Sequence, residues 1–117
     1  MSSLVKLREE EARLQAALKE AEARYAELSK SLEGLKQEMD ELRARFRNAG
    51  SQIEADRIDM QMYNLSRRMG PVENQLSEAE KAIRGAKSAL EAVQRRRLQA
   101  EASEKGKWVV EYRRKEG

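Results

Sequence analysis

The chain reads as an all-α protein: two long helices forming an antiparallel coiled-coil hairpin, the second helix longer and kinked near Gly70-Pro71. Three features of the 117-residue sequence carry that reading. A narrow stripe of large apolar residues repeats with heptad spacing through residues 4–46. A helix stop signal and a helix start signal lie side by side at residues 48–51. A second heptad follows in the remainder. The whole is expected to be one helical-hairpin domain over residues 1–117, with helix one over about 2–48, a turn at 48–51 and helix two over about 52–115.

Ser2 or Ser3 is placed to N-cap helix one. Of its thirteen seam positions between 4 and 46, twelve are Leu4, Leu7, Leu14, Leu18, Ala21, Tyr25, Leu28, Leu32, Leu35, Met39, Leu42 and Phe46. The thirteenth, Glu11, is polar. A stripe this narrow is too thin for a helix buried in a globular core and has the width of a coiled-coil seam. A charged residue within such a seam sets register and discourages wrong partners. The run Glu9-Glu10-Glu11 sits near the helix N-terminus, where carboxylates meet the dipole favourably.

Arg47-Asn48-Ala49-Gly50 closes helix one, with Gly50 able to adopt the left-handed conformation that stops helices. Ser51-Gln52-Ile53-Glu54 then matches a capping box, in which Ser51 accepts from the amide of Glu54 and the Glu54 carboxylate reaches back to the Ser51 amide. A rival turn lies at Gly70-Pro71, since proline suits the first position of a helix. That division is more even but would force helix one through Asn48-Ala49-Gly50-Ser51, where propensity is poor. A third arrangement keeps both breaks and leaves 52–69 as a short middle helix. With the turn at 48–51, Pro71 falls inside helix two, lacks an amide donor and clashes with the carbonyl of Arg67.

Helix two carries Met62, Leu65, Met69, Val72, Leu76, Ala79, Ile83, Ala86, Leu90 and Val93 at heptad positions, after which the frame moves to Leu98, Ala102, Val109 and Tyr112. Folding about 49–50 gives paired residue numbers that sum to about 99, so Leu4 lies near Arg95 and everything past about 98 overhangs by about 25–30 Å of single helix. That overhang holds Trp108, Val109, Val110 and Tyr112 amid charge, the pattern of a partner surface. Near the hinge, Met60, Met62, Met69 and Tyr63 form a soft apolar cluster expected to pack between the helices; such surfaces also adapt to partners.

Composition narrows function. Charged residues are 38% of the chain and aromatics 4%, too polar for an ordinary globular core. There is no cysteine and no histidine, which removes thiolate chemistry and the commonest catalytic base and metal ligand. No nucleophile–base pair, phosphate loop or carboxylate pair stands out, so no catalytic residue, metal or cofactor is expected, and the chain is not expected to be an enzyme. No apolar run reaches transmembrane length and no signal peptide is apparent, so a cytoplasmic protein without direct membrane insertion is expected.

The net charge of +3 is unevenly spread. Residues 1–48 carry ten basic and ten acidic side chains, 49–94 six and seven, and 95–117 eight and four. The basic residues of the last segment are Arg95, Arg96, Arg97, Lys105, Lys107, Arg113, Arg114 and Lys115. Glu101, Glu104 and Glu111 interrupt them, unlike the uniformly positive helices that bind DNA, so a protein partner or plain solubility is expected rather than nucleic acid.

From Tyr63 onward the sequence resembles the YscO/FliJ family, the central-stalk proteins of type III secretion and flagellar export ATPases. The resemblance rests on Leu76-Ser77-Glu78-Ala79-Glu80-Lys81-Ala82-Ile83, Ala89-Leu90, Arg95-Arg96-Arg97-Leu98, Glu104-Lys105 and Glu111-Tyr112-Arg113-Arg114. The short chain fits the secretion branch better than the flagellar one. The resemblance implies a hairpin whose paired chain ends sit in the pore of a hexameric secretion ATPase and whose middle reaches a membrane export gate, with secretion chaperones as further partners. It implies a cytoplasmic monomer, peripheral to a membrane-embedded secretion apparatus. Carried over, the pore-facing end comprises Leu4, Lys6, Leu7 and Arg8 with Arg95, Arg96, Arg97, Lys105, Lys107, Trp108, Tyr112, Arg113, Arg114 and Lys115. The export-gate face falls at Tyr63, Leu65 and Met69. Gly70-Pro71 belongs to no such pattern. Two readings compete: a dimeric coiled-coil spacer or scaffold without a motor partner, and a chaperone-like hairpin holding clients in its Met-rich cleft. The stalk reading requires a seam satisfied within one chain, and the spacer a seam shared between chains.

Overall fold

The computed structural model describes the backbone of residues 3–116 and the side chains of residues 3–106. Two helices account for it: α1 (Ser3–Arg47) and α2 (Gln52–Glu116). The fold is an all-α antiparallel helical hairpin with a turn at 48–51. α2 stays helical through Gly70-Pro71, so neither the rival turn nor the short middle helix is used. The chain divides into two compact units, Ala21–Lys81 and Met1–Glu20 with Ala82–Gly117.

The unit 21–81 contains the turn. α1 ends by tightening: the amide of Asn48 is shared between the carbonyls of Ala44 (3.3 Å) and Arg45 (3.2 Å), and Ala49 donates to Phe46 at 3.3 Å. Such three-residue bonds satisfy carbonyls that a helix end would otherwise orphan. No described residue has a positive φ, so the expected left-handed Gly50 is not found. Ser51 Oγ accepts from the amide of Glu54 at 3.1 Å, as the capping box requires. The return arm lands one residue earlier than expected: the amide of Gly50, not that of Ser51, donates to Glu54 Oε2 at 3.1 Å.

A Cβ built on Gly50 would meet nothing closer than Glu54 Oε2 at 3.7 Å, an ordinary contact. With neither positive φ nor a clash to avoid, Gly50→Ala is expected to raise stability by about 0.4–1 kcal/mol through the unfolded chain's lost freedom. Thermal or urea unfolding checks this, and a loss of stability would place Gly50 in a conformation alanine cannot share.

The large covered residues of this unit fall on one line of each helix: Tyr25, Leu28, Leu32, Leu35, Met39 and Leu42 on α1, and Ile58, Met62, Leu65, Met69, Val72 and Leu76, with the small Ala79, on α2. Antiparallel heptads then pair residues whose numbers sum to about 104, setting Tyr25 opposite Ala79, Met39 opposite Leu65 and Leu42 opposite Met62. The hydrogen bond from Tyr25 Oη to Glu80 Oε1 at 3.4 Å fits that register. The expected sum near 99 is therefore corrected by about five residues. The cause is the tip. The first turn and a half of α2 runs beside the turn, past the end of α1, with Ala49 and Ala55 half-covered, and the first fully enclosed residue of α2 is Ile58 at 2% exposure.

In the unit formed by the chain-terminal halves the covered line is Leu4, Leu7, Glu11, Leu14 and Leu18 on α1 and Ala86, Leu90, Val93, Arg97 and Ala100 on α2. The same sum of about 104 pairs Leu4 with Ala100, Leu14 with Leu90 and Leu18 with Ala86. Alanine on α2 thus faces a large residue on α1, the alternation that lets layers interdigitate at constant helix separation.

Candidate functional site

Two seam positions of the chain-terminal unit are charged, Glu11 on α1 and Arg97 on α2, and they bond to each other. Arg97 Nε donates to Glu11 Oε2 at 2.6 Å, with side chains only 25% and 13% exposed. Arg97 Nη1 donates to Glu101 Oε1 at 3.0 Å, Gln94 Nε2 donates to Glu11 Oε1 at 3.4 Å, and Arg8 Nη2 reaches Glu101 Oε1 at 3.4 Å. The result is a charged layer inside an otherwise apolar seam. No described side chain leaves a buried nitrogen or oxygen without a partner.

This layer corrects two expectations. The heptad does not change frame after Val93: it continues through Arg97 to Ala100, while Leu98 is 57% exposed and Ala102 is exposed. Nor does the overhang begin near residue 98, because Arg97 and Glu101 are held by Glu11 and Arg8 of α1. Residues 102–106 are exposed on all sides, and α2 remains helical to Glu116.

The electrostatics agree with the geometry. Arg97 is held above its ordinary value chiefly by the hydrogen bond to Glu101, then by that to Glu11. Glu101 is held below its ordinary 4.5, chiefly by the hydrogen bond from Arg97, with burial opposing and Arg8 assisting. A depressed carboxylate contributes stability that is complete above its unfolded value and lost as pH falls through its folded value. The raised arginine contributes at all lower pH and loses that contribution only in strong alkali. The melting temperature of the wild type is therefore expected to exceed that of Glu101→Gln near about pH 7, with the gap closing as pH falls below about 4. A gap independent of pH would show that Glu101 acts by packing and not by charge.

The other expected partner residues sort by exposure. Lys6, Arg95, Arg96 and Lys105 are exposed, and so is Arg8, which bonds Glu101 at 3.4 Å. Leu4, at 9% exposure, and the half-buried Leu7 and Arg97 are seam residues. The side chains of Lys107, Trp108, Tyr112, Arg113, Arg114 and Lys115 lie outside the described residues. At the hinge, Leu65 is 5% exposed and Met69 half-buried in the seam, so of Tyr63, Leu65 and Met69 only Tyr63, at 62% exposure, faces solvent fully. Met62 packs in the seam as expected, whereas Met60 is 67% exposed.

A shallow groove over Leu42 and Leu65 is rimmed by Glu38, Glu41, Arg45 and Arg68 and is open to solvent. Among the described residues no group of three His, Cys, Asp or Glu could hold a metal ion, and no helix is long and apolar enough to cross a membrane. No family model, curated protein or solved structure matches the chain.

Proposed function

We propose that the chain is a central-stalk adaptor of a bacterial type III secretion ATPase. It binds the hexameric ATPase with its paired chain ends and couples that ring to a membrane export gate and to secretion chaperones. The observation that carries this reading is a seam satisfied within one chain, including a charged layer whose members find their partners on the same hairpin. Such a hairpin pairs its seam without a second chain and leaves its two ends for partners. The basic surplus of residues 95–117 steers the chain end toward an acidic surface. Contacts through exposed Lys6, Arg8, Arg95 and Arg96 are moderate and salt-sensitive, which suits a bearing that exchanges contacts as ring subunits change state. On this reading the protein works in the cytoplasm, at the face of a membrane-embedded apparatus. The dimeric spacer requires a seam shared between chains, and internal pairing of Glu11 with Arg97 weighs against it.

The test is stimulation of the export ATPase of the same organism by the purified chain. Replacing Arg113, Arg114 and Lys115 together by glutamate is expected to abolish stimulation while leaving helicity unchanged. Undiminished stimulation by the triple variant would overturn the placement of this end in the ring.

A further inference from the structure

The face of α2 that points away from the seam changes character along its length. From residue 74 on, outward positions such as Asn74 and Glu78 are polar. Next to the turn, however, Ile53, Met60 and Tyr63 point outward and are 69%, 67% and 62% exposed. They lie opposite Ile58 and Leu65 around the helix and repeat with heptad spacing, at 53, 60 and 63. The full outward heptad reads Ile53, Asp56, Met60, Tyr63, Arg67 and the half-covered Gly70.

That string is complementary to its own reverse. Laid antiparallel on a second copy, with paired numbers summing to about 123, Met60 meets Tyr63, Asp56 meets Arg67 and Ile53 meets Gly70. The centre is apolar, the flanks are oppositely charged, and the largest aliphatic residue falls on the one position without a side chain. A Cβ at Gly70 would meet nothing within 4 Å, so the space above it is free. The Arg67 guanidinium lies 5.9 Å from the Tyr63 ring centroid and so is already held along the same stripe. Asp56 and Arg67 are both exposed.

We infer that the outward face of α2 at residues 53–70 is a self-association surface, on which two copies of this chain pack antiparallel, tip beside tip, about a two-fold axis between Met60 and Tyr63. The occupant is a second copy because charge and size complementarity both follow from one register. A contact of under three heptads buries on the order of 1,000 Å² in total, the low end for specific interfaces, so the dimer is reversible and the chain is a single hairpin when dilute. The seam is untouched by this contact.

Sedimentation equilibrium of the full chain from about 1 μM to about 500 μM tests it. The wild type is expected to pass from one-chain to two-chain mass. Asp56→Arg sets arginine against arginine and Arg67→Asp sets aspartate against aspartate, so each variant alone is expected to weaken association at least about tenfold. An equimolar mixture of the two places opposite charges at both contacts and is expected to return to two-chain mass. Far-UV circular dichroism verifies that both variants remain helical. A wild type that stays at one-chain mass throughout would overturn the inference and leave the stripe to a helix of another protein. Variants that associate as the wild type does, or a mixture that stays at one-chain mass, would overturn it equally.

Discussion

Replacing Ile58 by alanine is expected to lower the unfolding free energy by about 3 kcal/mol, within the range of about 2–5 kcal/mol for large-to-small changes at enclosed sites. Ile58 is the most deeply buried large side chain described, at 2% exposure. It is the first fully enclosed residue of α2 after the turn, whereas Phe46 near the end of α1 is 42% exposed. Among the described residues few apolar side chains are buried: Leu4, Met39, Ile58, Leu65, Ala79 and Val93. Each therefore carries a large share of a margin that in most domains is only about 5–15 kcal/mol. Urea unfolding followed by circular dichroism measures the loss. Ile53→Ala is the internal control, since Ile53 is 69% exposed and its truncation should change stability by less than about 0.5 kcal/mol. Equal effects at the two positions would mean that the turn end of the seam is not packed as described.

The second large effect concerns the charged layer. Arg97→Leu strands Glu11, leaving it at 13% exposure with only Gln94 at 3.4 Å. Glu11→Leu leaves Arg97 with Glu101 still at 3.0 Å. Both single changes are expected to destabilise, and Arg97→Leu more than Glu11→Leu, because a carboxylate without its cation suffers the larger uncompensated burial. The double change to leucine removes both charges together and extends the apolar seam. Buried ion pairs are often no more stable than apolar residues of similar volume, so the double variant is expected to melt above either single variant and at or above the wild type. Its loss should be in specificity: without the charged layer, an uninterrupted leucine seam accepts shifted registers and other chains. A denaturant double-mutant cycle, read with sedimentation, checks both halves. Additive single effects would show that Glu11 and Arg97 do not act as a pair.

The heptad of α1, the turn at 48–51 and the Ser51–Glu54 cap were legible because each is a local signal with its own physical cause. Register was not. Pairing about 49–50 assumes that the turn is the midpoint, whereas the first residues of α2 run beside the turn before the seam begins and move the pairing by about five positions. The same displacement brings Arg97 into the seam. A reading that follows apolar residues alone skips an arginine at a core position and moves on to Leu98, which is how a frame change and an early overhang arise from a heptad that is in fact continuous. The signal that would have prevented this is the match of one charged residue in each seam, Glu11 and Arg97, of opposite sign. Gly50 misled for a different reason: glycine permits a left-handed stop but does not require one, and shared and three-residue hydrogen bonds end α1 without it. The outward stripe at Ile53, Met60 and Tyr63 is equally periodic, but it shares its sequence with the seam residues between them. Only the rotation of α2 about its axis separates the two faces.

The seam closes within one chain in the register that sets Leu14 opposite Leu90. The chain has no cysteine, so Leu14→Cys with Leu90→Cys introduces a single possible disulfide. Oxidised at low protein concentration and separated under denaturing conditions, this variant is expected to run as one chain that migrates differently once reduced. A covalent species of two-chain mass as the main product would contradict the hairpin, since the seam would then join different chains.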